Sequence, residues 1–252
     1  MIRSIRFILI LFLVDAVLPL RPQGPQSSQE LLAHALHLAD LYNWDDAGKD
    51  FADSERLFRA AGDQRNALYA RLGKIRSTVD QLSLPATAAE LSSELENNPL
   101  LQSDKELRLF CLIVKGDIDS EIGGAAMRED WERVTALARE LDDKKWQYRA
   151  LAELGIAAFY DGDLATAGKN VATALALATK NGDVAAQVRF LTTLGIGLRE
   201  AHNYEEALAY CEKALKIAST IPDFGYPFLI KSTIVEDLID LKRLDDAPEI
   251  VR

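Results

Sequence analysis

The feature that most constrains this chain is self-similarity at an offset of forty residues. Residues 143–180 align with 183–220: Leu151, Leu154 and Gly155 fall on Leu191, Leu194 and Gly195, and Ala174-Leu175 on Ala214-Leu215. The offset runs both ways along the chain. One column reads Trp44, Leu84, Gly124, Leu164, Tyr204 and Leu244. A second reads Ala47, Thr87, Met127, Ala167, Ala207 and Ala247, and a third reads Phe51, Leu91, Trp131, Val171, Cys211 and Val251. A fourth column, Asp63, Ser103, Asp143, Asp183 and Asp223, holds residue types that cap helix N-termini. A fixed period of this length implies stacked copies of one small unit, each unable to bury its apolar face alone.

Within a unit the apolar residues keep helical spacing. Leu151, Leu154 and Ala158 mark one face of a helix, and Ala167, Val171, Ala174 and Ala178 mark a second. Short polar turns, Asp161-Gly162-Asp163 and His202-Asn203, separate them. Each unit is therefore predicted to be helix, turn, helix. Gly155, Gly195, Ala167 and Ala207 are read as points of close helix approach.

This pattern resembles the tetratricopeptide repeat (TPR) family. Leu154-Gly155, Gly162, Ala167 and Ala174-Leu175 carry the likeness in one unit; Leu194-Gly195, Tyr204, Ala207 and Ala214-Leu215 carry it in the next. Asn203-Tyr204-Glu205-Glu206-Ala207 is similar to that family's second-helix start. The common family period is 34 residues; a period of forty resembles the longer bacterial type. The resemblance implies an all-α fold, a right-handed superhelical solenoid of antiparallel helix pairs over residues 28–252, with five full repeats and a partial sixth. It also implies a concave face lined by the first helix of each unit, suited to a protein or peptide partner. Arg149, Phe159 and Tyr160 in the fourth unit, and Arg189, Arg199 and Glu200 in the fifth, fall on that face. The planar arginine fork suits carboxylates, so an acidic peptide is expected. The alternative is that these arginines pair with Glu153, Glu200 or neighbouring acids. The family's carboxylate-clamp Asn has no counterpart on these stripes.

Chemistry-bearing motifs are sparse. Gly162 to Asn170 imitates a phosphate loop but has the wrong glycine spacing and lacks the Ser or Thr that meets magnesium. Asp117-Ile-Asp119-Ser-Glu121 imitates a calcium loop, but Arg128 stands where the closing Glu belongs, so a solvated helix end is expected. His34 and His37 lack a third ligand nearby. Cys111 and Cys211 lie on apolar columns and are expected to be small buried hydrophobes. No catalytic constellation appears, and no metal or cofactor is expected. The 39 acidic against 29 basic residues, a net charge of -10, argue against nucleic-acid binding.

Residues 1–20 stand apart. Arg3 and Arg6 precede the apolar run Phe7 to Val14, shorter than the roughly 20 residues a membrane span needs. A signal peptide is expected, with export to a periplasmic or secreted location and any membrane association confined to this segment or to a missing C-terminal part. Residues 21–27 read as a linker. A misassigned start codon would make the chain cytoplasmic. The leading reading is a non-enzymatic binding scaffold or adaptor. The alternative is the extracytoplasmic sensor region of a larger signalling protein, of histidine kinase or diguanylate cyclase type, truncated at Arg252; the short stretch after Asp245 and the absent capping helix favour a longer chain.

Overall fold

A computed structural model describes residues 27–247; the proposed signal peptide, most of the linker and Val251 lie outside them. The described residues are all-helical and hold twelve α-helices: α1 (Ser28–Asp40), α2 (Trp44–Ala60), α3 (Gln64–Ser77), α4 (Leu84–Asn97), α5 (Pro99–Ser103), α6 (Lys105–Ile122), α7 (Ala125–Glu140), α8 (Lys144–Tyr160), α9 (Leu164–Lys180), α10 (Val184–Glu200), α11 (Tyr204–Ala218) and α12 (Pro227–Asp240). Helices pack in consecutive pairs, most extensively α8 on α9, α2 on α3, α10 on α11 and α1 on α2. No described helix is long and apolar enough to cross a membrane.

Local chemistry sets the helix ends. Ser27 and Glu30 form a reciprocal capping box at α1: the Glu30 amide donates to Ser27 Oγ at 3.2 Å, and the Ser27 amide to Glu30 Oε2 at 2.8 Å. Asp63, Asp143, Asp163 and Asp183 each accept an amide N–H from three residues on. Seven helices stop in left-handed residues on a twenty-residue register, interrupted between Gly62 and Asp142 and between His202 and Lys242: Tyr42, Gly62, Asp142, Gly162, Gly182, His202 and Lys242 all have φ between 54° and 81°.

Two members of the expected capping column do not cap. Pro99–Ser103 forms the extra helix α5, and Asp104, not Ser103, caps α6 through the Leu107 amide at 2.9 Å. Asp223 sits at φ 61°, and α12 starts late, at Pro227. A proline is preset for that first helical position, while Asp223 lies three residues before the capping position at Tyr226.

The close approaches read from the sequence are present. A Cβ on Gly155 would sit 2.8 Å from Val171 Cγ2, and one on Gly195 would sit 2.5 Å from Cys211 Sγ and 3.1 Å from the Ala207 carbonyl. Both cysteines are buried and unpaired, and burial pushes each thiol up to about 12.

The chain also meets itself across its length. The α1–α2 corner rests on the loop between α11 and α12: Gly225 donates its amide to the Leu41 carbonyl at 3.0 Å. Tyr42 packs against Phe224 and Tyr226 with ring centroids 6.1 and 5.6 Å apart. Asp40 reaches Lys145 on α8 at 2.6 Å.

Candidate functional site

Three arginines on first helices lie among aromatic rings, Trp146 and Tyr42 reaching Arg76, Arg149 and Arg189 in part across the length of the chain. The Arg76 guanidinium lies 4.9 Å from the Trp44 ring and 5.2 Å from Trp146. Arg149 lies 5.7 Å from Trp146 and 6.0 Å from Tyr42, and Arg189 lies 5.6 Å from Tyr42. Cations over ring faces attract electrostatically, and more so when desolvated.

Each arginine is also paired. Arg149 is buried, with its fork on Asp183: Nη2 donates to Oδ2 at 2.9 Å and Nε at 3.1 Å, while Asp40 Oδ1 stands 3.4 Å from Nη1. Tyr148 donates its hydroxyl to the same Asp183 carboxylate at 2.8 Å. Burial alone would raise the Asp183 carboxyl, but Arg149, the Ala186 amide and Tyr148 hold it below its ordinary value. Arg76 pairs with Asp117, and Arg189 with Glu153. Burial raises the Glu153 carboxyl against the pull of Arg189. Of the two readings of these arginines, the pairing with Glu153 and neighbouring acids describes the geometry, and Arg149 has no free fork to offer a peptide.

Arg199 is half-buried among three carboxylates of α12, 3.1 Å from Glu236 and 3.4 Å from both Asp237 and Asp240. Glu200 is exposed and makes no ion pair among the described residues.

The remaining expected residues come together elsewhere. Phe159, Tyr160 and Arg189 line a cleft of about 600 Å³ between the α8–α9 pair and the α10–α11 pair. Ile156, Leu194, Ile196 and Leu198 supply aliphatic walls, and Tyr210 and Tyr226 supply further rings. Phe159 and Tyr160 meet edge to face with centroids 6.1 Å apart. Tyr160 is 68% exposed and Leu164 57%, so two large apolar side chains stand in solvent at the cleft. Cleft volumes of about 300–1,000 Å³ with aromatic walls are typical of ligand sites. A wider depression of about 710 Å³ runs past Asp40, Lys145, Arg149 and Asp183, whose charges already satisfy one another.

Two arrangements escaped the sequence reading. Asp119 is no solvated helix end: Lys115 is buried and stands 2.5 Å from both Asp119 and Asp130. Burial and the neighbouring Asp119 push the Asp130 carboxyl up to about 6. The four-residue spacing of Lys115 and Asp119 was a legible signal; the approach of Asp130 from α7 was not. The cleft was likewise unread, because its glycines have no side chains to pattern.

Among the described residues no group of three or more His, Cys, Asp or Glu side chains is placed to hold a metal. His34 Nδ1 instead meets Asp50 at 2.5 Å. No protein-family model matches this chain, and no curated protein matches it.

Proposed function

We propose that the chain is a non-enzymatic binding scaffold for a protein or peptide partner, built as a right-handed TPR-type solenoid of five full helix pairs and a partial sixth. The forty-residue register, the consecutive pairing and the left-handed turns on an interrupted twenty-residue register support that architecture. In such a solenoid the first helices line the concave face. Here the arginines of that face are neutralised within the chain, which shifts the receiving surface to the cleft between the fourth and fifth units. The exposure of Tyr160 and Leu164 beside an aromatic-walled cleft carries this reading, since large apolar side chains clustered in solvent mark interaction sites.

A random peptide display library panned against the intact chain tests it. Selected peptides are expected to lose binding to a Tyr160→Ser/Leu164→Ser double variant and to keep it on Glu200→Gln. Selected peptides that bind the double variant unchanged would place the surface elsewhere. Selection of no peptides at all would remove the peptide-binding reading.

A further inference from the structure

We propose that the cleft between α8–α9 and α10–α11 is a binding site for an uncharged small molecule with an apolar body and one oxygen acceptor. This goes beyond the peptide reading: it assigns the interior of the cleft, behind the exposed Tyr160 and Leu164, a ligand of its own.

The repeat register identifies what opens the cleft. Gly168 on α9 and Gly197 on α10 both line it, and a Cβ built on either would meet no atom within 4 Å. Forty residues further on, the same two positions hold Leu208 and Asp237, both buried. Equivalent positions are filled in one unit and vacated in the one before it. Glycine weakens a helix interior relative to nearly any other residue, and interiors otherwise close to crystal-like density. Slack packing of the whole region does not explain the gap, because Gly155 on α8 and Gly195 on α10, in the same two helix pairs, are in tight contact with their partners.

The charges in the cleft define the ligand. Arg189 and Glu206 are its only charged lining residues. Arg189 donates from Nη2 to Glu153, and its Nε and Nη1 find no acceptor among the described residues. Glu153 already balances its positive charge. A ligand carboxylate or ammonium would therefore bring an unmatched charge into a partly desolvated site, which is costly. A neutral hydroxyl or carbonyl oxygen accepts the spare N–H groups without that penalty, while Ile156, Phe159 and Leu194 cover the apolar body. Glu206 is exposed, so solvent screens its charge and it offers a ligand cation little; its carboxylate accepts from Asn203 at 2.7 Å.

The test uses the full chain and the uncharged fluorophore N-phenyl-1-naphthylamine, displaced in turn by decanol, decanoate and decylammonium. Decanol is expected to displace the probe at a concentration at least about ten-fold below either charged analogue, a difference of about 1.4 kcal/mol. Gly168→Leu, which copies the following unit, is expected to keep its helical circular dichroism and melting temperature and to weaken the probe at least about ten-fold. Gly197→Ala serves as the gentler filling variant if Gly168→Leu does not fold. Equal displacement by all three head groups would overturn the proposal, as would unchanged probe binding in the folded filling variant. Failure of the probe to bind the wild-type chain would overturn it too, while leaving the peptide reading to stand or fall on the Tyr160→Ser/Leu164→Ser result.

Discussion

The Gly225 amide donates to the Leu41 carbonyl at 3.0 Å, and there is no room for a side chain between them. A Cβ on Gly225 would lie 2.2 Å from the Tyr42 carbonyl oxygen and 2.7 Å from Asn43 Cα. Both neighbours are backbone, so neither can swing away. The last inter-helix loop is thereby held against the first helix corner. Gly225→Val is expected to cost about 2–3 kcal/mol through overpacking. Urea unfolding measures it, and hydrogen exchange should show the α1–α2 corner losing protection first.

Glycines on helices separate into two kinds here. Gly195→Leu is expected to cost about 3 kcal/mol or more, since a Cβ there would meet Cys211 Sγ at 2.5 Å and the Ala207 carbonyl at 3.1 Å. Gly168→Ala, facing open space, is expected to gain up to about 1 kcal/mol from helix propensity. Thermal melts of the two variants side by side check the contrast. Equal destabilisation would mean that the gap around Gly168 is closed in solution.

Removing the Arg149 fork leaves the Asp183 carboxylate and the Tyr148 hydroxyl facing each other without a cation. Arg149→Met is expected to destabilise by about 3–5 kcal/mol, the usual cost of breaking one side of a buried pair. The Asp183 carboxyl is held below its ordinary value, so its stabilisation is present above the usual carboxylate range. It is lost as pH falls through the folded-state value. Wild type and Arg149→Met should therefore converge in stability under acid.

Asp237 carries the opposite sign. Both its carboxylate oxygens are buried without a hydrogen bond, and Arg199 Nε, 3.4 Å away, is unpartnered as well. Burial pushes its carboxyl up to about 6, against the pull of Arg199 and with the repulsion of Asp240 and Glu236. The folded state thus holds this proton more tightly than the unfolded chain does. Stability from this group is full below the ordinary carboxylate value and falls as pH rises toward about 6. Asp237→Asn is expected to stabilise by about 1–2 kcal/mol above pH ~7, with the gain shrinking as pH falls from about 6 toward 4. Melting curves of both proteins across that range check it; a gain independent of pH would assign the effect to something other than this proton.

Much of the fold was legible in the residues. Asp63, Asp143, Asp163 and Asp183 cap helices because the capping bond spans only three residues, and the column Ala47, Thr87, Met127, Ala167 and Ala207 is buried because a helix turns at a constant rate. Where the chain departs from period, as at Ser103 and Asp223, local chemistry again decides, through Pro99 and Pro227. The site was legible only in part. Phe159, Tyr160 and Arg189 come together at one cleft, while Arg149, Arg199 and Glu200 do not line it.

The sequence by itself determined most of the helices, caps and turns and their order of pairing, because each depends on residues within a turn or two of one another or on a repeated register; α5 and the displaced start of α12 break that register. Only the tertiary structure decided which charges are available. Arg149 meets Asp40 and Asp183, and Arg189 meets Tyr42 and Glu153, across separations that no local pattern encodes. The same holds for the cleft, since an absent side chain has meaning only beside the atoms that fail to fill its place.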